Sequence, residues 1–231
     1  MADKLKGLLG LLEERLDQHD NSRREVQSQL QDTCAKMAKD ADSLEEKISE
    51  KISEDFGPKE ERILGLIAKL NEGEGDMNVL LKQAKEELSR EWKYEIQHSE
   101  QIRSFADSYE LKVSSVEVER GVNSDNAESI VSRLQGHLNK LHDSVTAARD
   151  NLTKICNERR TEAEELGKRI NGELEEHFKA EDARIQGVVK IVREKVNSED
   201  HEEVELAVSK AKSAAFVRKE YSLSKGGLPD K

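Results

Sequence analysis

Apolar side chains recur at steps of three and four residues along the first 70 positions of this chain. The stripe runs Leu9, Leu12, Leu16, Val26, Leu30, Cys34, Met37, Ala41, Leu44 and Ile48, then Phe56, Ile63, Ile67 and Leu70. A mean step of 3.5 keeps one face of a helix turned toward a partner helix, which is the seam of a coiled coil. His19 and Arg23 fall on the same stripe and mark a place where the seam opens. Two steps of four around Leu30 form a stutter that locally unwinds a supercoil. Gly57-Pro58 predicts a kink or a restart, because proline lacks the N–H and crowds the preceding turn.

Asn71 to Gly75 reads as a turn. A second helix is expected after it, with Leu81, Ala84, Leu88, Trp92, Ile96, Ile102, Tyr109, Val113 and Val116 on one side and an end near Gly121. Asp125-Asn-Ala-Glu128 has the spacing of a capping box. A third helix carries Val131, Leu134, Leu138, Leu141, Val145, Ala148, Leu152 and Cys156, and continues through Leu166, Ile170, Leu174, Phe178, Ile185, Val189 and Val192. Asn197 to Asp200 is a further turn, followed by a short fourth helix to about Arg218 and a loose tail from about residue 222. The first and third helices are each close to 70 residues, about 100 Å long if straight.

The two long helices resemble one another at an offset of 122. Leu12, Leu16, Leu30, Leu44 and Ile48 meet Leu134, Leu138, Leu152, Leu166 and Ile170, which any two heptad sequences do readily. Cys34 meets Cys156, Ala41 meets Ala163, Phe56 meets Phe178, and Arg62-Ile63-x-Gly65 meets Arg184-Ile185-x-Gly187; no heptad requires those identities. Ten of the 37 positions from Leu30 to Leu66 are identical without gaps. After a five-residue insertion, Ala84-Lys85 meets Ala211-Lys212 and Tyr94 meets Tyr221. The expected architecture is an all-α, elongated, antiparallel, coiled-coil-like bundle of two tandem helix–turn–helix repeats, residues 1–121 and 122–231. Glycine at both 65 and 187 points either to close helix approach or to a shared neutral residue.

Composition agrees with a thin core. Charged residues make up 38% of the chain, hydrophobic ones 35% and aromatic ones 3%, against about 25% charge in an ordinary globular domain. The net charge of −11 repels nucleic acid and anionic membranes, so no nucleic-acid partner and no strong membrane binding is expected. No segment approaches the roughly 20 apolar residues of a bilayer span, and the start lacks a signal peptide's pattern. A cytoplasmic chain is expected, and two cysteines are too few for a disulfide framework.

The sequence carries no phosphate loop, HExxH, GxSxG or CxxC. His137 and His142 are five apart, too far round a helix to share a metal, and no EF-hand loop is present. No catalytic residue, cofactor or metal is assigned. Both cysteines lie on the stripe, which favours small buried hydrophobes over a redox pair. Trp92 reads as core, with a partner contact as the sharper alternative. Residues offered for core or interaction are Leu30, Cys34, Leu44, Ile48, Phe56, Trp92, Leu152, Cys156, Leu166, Ile170 and Phe178.

These features describe a non-catalytic structural or scaffolding protein that self-associates or bridges protein partners. Its low-aromatic stuttered heptads are similar to those of cytoskeletal coiled-coil proteins of flagellated cells, which implies a cytoskeletal setting. The alternative is a membrane-shaping module, since long antiparallel helices in about 230 residues also resemble BAR domains. That function needs a basic face, which the charge balance disfavours.

Overall fold

The computed structural model describes residues 2–118 and 126–196. The order of elements is helix α1 (Ala2–Glu72), helix α2 (Met77–Leu88), strands β1 (Arg90–His98) and β2 (Tyr109–Glu117), and helix α3 (Ala127–Val196). The described chain is thus mostly helical, with one small antiparallel sheet of order β1-β2. The turns expected at 121–125 and 197–200, the fourth helix and the tail lie outside the described residues, apart from the start of α3.

α1 continues through Pro58 as one helix, so of the expected kink or restart the restart does not occur. It stops at a turn in which Gly73 and Gly75 adopt φ of 70° and 95°, a conformation that costs residues with a Cβ. Asp76 then caps α2, its carboxylate accepting from Asn78 N–H at 2.9 Å. At the start of α3 the capping side chain is Asn126, which accepts from Glu128 N–H at 3.0 Å. The cap therefore sits one residue later than the expected Asp125 box.

The long second helix is not formed. It ends at Leu88, and residues 90–117 make the β1–β2 hairpin, with Trp92 opposite Ser115, Tyr94 opposite Val113 and Ile96 opposite Leu111. The spacing Leu88, Trp92, Ile96 suits either structure, because a step of four is about one helical turn and also two strand repeats. Tyr94 decides between them. It is buried midway between Trp92 and Ile96, while Lys93 and Glu95 are exposed. That is a period of two.

The chain divides into two compact units, one of residues 37–162 and one joining residues up to 36 to those from 163 onward. In the first, α1 and α3 run antiparallel and bury Leu44, Ile48, Ile52 and Ile63 against Leu134, Leu141, Val145 and Leu152. Leu80, Ala84 and Leu88 of α2, with Tyr94, Ile96 and Ala106, complete the same core. The second unit holds a thinner seam between the two long helices. Its buried residues include Leu30, Ala163, Leu174, Phe178, Ile185, Val189 and Val192, while Leu12, Leu16, His19, Arg23 and Val26 remain half-buried.

Among the described helices, close approach does not explain the paired glycines. A Cβ on Gly65 or Gly187 would meet no described atom within 4 Å. Gly65→Ala and Gly187→Ala are each expected to raise stability by about 1 kcal/mol, from helix propensity alone. The two lie in different units, so their effects should add in urea unfolding. A loss of stability in either variant would show a backbone role for that glycine.

Candidate interaction sites

A dense polar cluster lies where the hairpin covers the helices of the 37–162 unit. Lys59 occupies the seam position after Phe56 and is buried. Its Nζ bonds the Asp55 carboxylate, one helical turn back, and approaches Tyr94 Oη at 3.3 Å. It also stands 4.1 Å from the centroid of the Trp92 ring, whose electron-rich face attracts the cation. Tyr94 O–H donates to Asp55 at 2.6 Å. Burial pushes Asp55 upward, but hydrogen bonds from Lys59 and Tyr94 and the Lys59 charge outweigh it, leaving its carboxyl below the usual value. Burial and the Asp55 carboxylate both hold the Tyr94 phenol above its ordinary value.

Two further contacts fix this layer. Arg62 forks onto Glu87 with two hydrogen bonds of 2.9 Å, joining α1 to α2. Tyr94 N–H donates to Ser144 Oγ at 2.9 Å, holding the outer edge of β1 against α3. Elsewhere in the same unit, Arg160 reaches across the helix pair to Asp42 and Glu45, at 2.7 and 2.6 Å.

The two units repeat a pair of local arrangements. Cys34 Sγ donates to Ala163 O at 3.3 Å in one, and Cys156 Sγ donates to Ala41 O at 3.4 Å in the other. All four residues are matched by the offset of 122. Phe178 takes the ring of His19 edge-on at 4.7 Å, and the Asp182 carboxylate lies 3.0 Å from its Nδ1. Phe56 takes the ring of His142 at 4.9 Å, with Glu60 at 3.0 Å. Phe56 and Phe178, and Glu60 and Asp182, are again offset by 122, whereas the histidines miss that offset by one residue. His19 is therefore held by an aromatic ring and a carboxylate, in a stretch of seam that stays half-buried.

The thiols are held in protonated form. Burial raises Cys34, and burial with the nearby Glu45 charge pushes Cys156 up to about 11, against the opposing pull of Arg160. Since the thiolate is the nucleophile, Cys156 in the folded protein should react with a disulfide reagent at pH 8 about 100-fold more slowly than in urea. Equal rates would mean that α1 and α3 separate readily at that turn.

Of the residues offered from sequence, Leu30, Leu44, Ile48, Phe56, Leu152, Cys156 and Phe178 are buried. Cys34, Trp92, Leu166 and Ile170 are half-buried. They serve the interior of each unit. Asp55, Lys59, Tyr94, Arg62 and Glu87 carry the polar layer and were not among them. The clue was the interruption of the stripe at position 59, where a lysine stands between Phe56 and Ile63. No group of three histidine, cysteine or acidic side chains suited to a metal occurs among the described residues, and none of their helices is long and apolar enough to cross a membrane. No protein-family model matches the chain, and comparison with curated proteins and with solved structures gave no match.

Proposed function

We propose that this chain is a non-catalytic scaffold that acts by self-association or by bridging protein partners, in a cytoskeletal setting. The observation that carries this reading is the recurrence of one local design in two compact units. Each holds a cysteine bonded to a helix carbonyl and a histidine held between a phenylalanine and a carboxylate; the cysteines, phenylalanines and carboxylates are related by the offset of 122, and the histidines fall one residue off it. A duplicated helical unit gives one chain two related surfaces, and two surfaces are what bridging requires. The exposed faces of the helices are laced with ion pairs such as Arg193–Glu13, Lys154–Glu158 and Lys190–Glu194. Pairs of that kind add little stability and keep long helices soluble.

The test combines light scattering, for mass across a concentration series, with co-pelleting against polymerised tubulin and actin. Self-association or pelleting with one polymer is expected. A monomer that pellets with neither would defeat the proposal. Anionic vesicles should not pull the protein down at physiological salt, and tubulation of such vesicles would instead favour the membrane-shaping alternative.

A further inference from the structure

The hairpin has two outer edges, and they differ. Hydrogen bonds Val118 N–H to Ser89 O (2.8 Å) and Ser99 N–H to Ser108 O (2.5 Å) close the two ends of the ladder. Together they set its phase. The pairs Lys93–Ser114, Glu95–Lys112 and Gln97–Glu110 bond between the strands, while Trp92, Tyr94 and Ile96 turn their backbone groups outward from β1. That edge lies against α3, where Ser144 takes the Tyr94 N–H. On β2 the outward-turned backbone groups belong to Tyr109, Leu111, Val113 and Ser115, and none of them bonds another described residue. An unpaired strand edge is a template for one more strand.

The geometry points to β2 of a second copy of this chain as that strand, in an antiparallel pairing centred on Leu111 that joins two hairpins into a four-stranded sheet. This rests on the self-association part of the proposed function and supplies its interface. The argument for a second copy is charge. Glu110 and Lys112 share the outer face of the hairpin, flank Leu111 and are exposed. In a two-fold pairing centred on Leu111, Glu110 of each copy lies directly opposite Lys112 of the other, giving two opposite-charge pairs. The edge groups of Leu111 then meet each other, and those of Tyr109 meet those of Val113. Centring on Lys112 would set two lysines face to face, which opposes that register.

Two kinds of variant test this in the full chain. Val113→Pro removes an outward N–H without touching the β1–β2 ladder, a position where proline suits an edge strand. Glu110→Lys places like charges across the pairing, and the double exchange Glu110→Lys with Lys112→Glu restores opposite ones. Light scattering from low micromolar to near-millimolar concentration should show the wild type rising to twice the monomer mass. Both single variants should stay at monomer mass with an unchanged circular dichroism spectrum, and the double exchange should recover the dimer. A wild type that dimerises while both single variants dimerise equally would overturn the edge as interface and leave self-association standing. A wild type that stays monomeric throughout would overturn the inference, leaving only the bridging of other partners in the proposed function.

Discussion

Leu44→Ala is expected to lower stability by roughly 3–4 kcal/mol, while Leu166→Ala, at the matching position of the sequence repeat, should cost about 1–2 kcal/mol. Both changes delete the same atoms, so hydrophobic transfer alone would make them equal. Their surroundings differ. Leu44 is completely buried, in a core to which the hairpin and α2 add a further layer over the helix pair, and the walls of the resulting cavity are held from several sides. Leu166 is only half-buried in the thinner seam, where solvent already reaches part of the side chain and the site can close over the missing atoms. The cost of a cavity depends on how far its walls can collapse, and that is what separates the two. Urea unfolding of both variants, followed by circular dichroism, measures the difference. Equal losses would mean that the hairpin layer adds nothing to the packing around Leu44.

The same contrast shows what could be read from the residues alone. α1 and α3 were legible as helices, though not the continuity of α1 through Pro58, since a stripe of Leu, Ile, Val and Ala at steps of three and four has only one regular backbone that places it on a single face. The turn at Gly73–Gly75 was legible for a different reason, because positive φ is cheap only for glycine. The hairpin was not read as one. Its apolar residues at 92 and 96 and at 109 and 113 are four apart within each strand, a step that helix and strand share, and only Tyr94 and Leu111 between them carry the period of two. The ladder joins residues across a ten-residue loop, and no local pattern states that pairing. The polar layer was hidden for a related reason. Lys59 looks like a charged interruption of the seam until Trp92 and Tyr94, more than 30 residues later, are folded over it. The alignment of Cys34 with Cys156 and of Phe56 with Phe178, by contrast, pointed to the paired contacts made in the two units.

Arg62 and Arg184 occupy matching positions in the R-I-x-G segments, but the carboxylates they pair with are buried to different degrees. Arg62 makes a two-pronged contact with Glu87, whose side chain is only 10% exposed. Removing the guanidinium strands a carboxylate that the α1–α2 packing has already taken out of water. Breaking a fully buried pair costs about 3–5 kcal/mol. Arg62 is half exposed, and water can enter where its head group was, so a loss of about 2–3 kcal/mol is expected for Arg62→Ala. Arg184 instead pairs with Glu181 one turn back on its own helix, at 2.8 Å and open to solvent. Such a pair is worth about 0.3–0.5 kcal/mol, and the Glu181 contact adds no more than that to the cost of Arg184→Ala. The companion change Glu87→Leu tells the two causes of the Arg62 effect apart. If the stranded carboxylate is the source, Arg62→Ala combined with Glu87→Leu should recover most of the lost stability, because neither charge then remains to be desolvated. If Arg62→Ala acts through lost packing of its alkyl stem, the double variant will be no better than the single one. The cycle of wild type, two single variants and the double, read by urea unfolding, isolates the coupling. A coupling below about 0.5 kcal/mol would show that the fork from Arg62 to Glu87 does not hold α2 to α1.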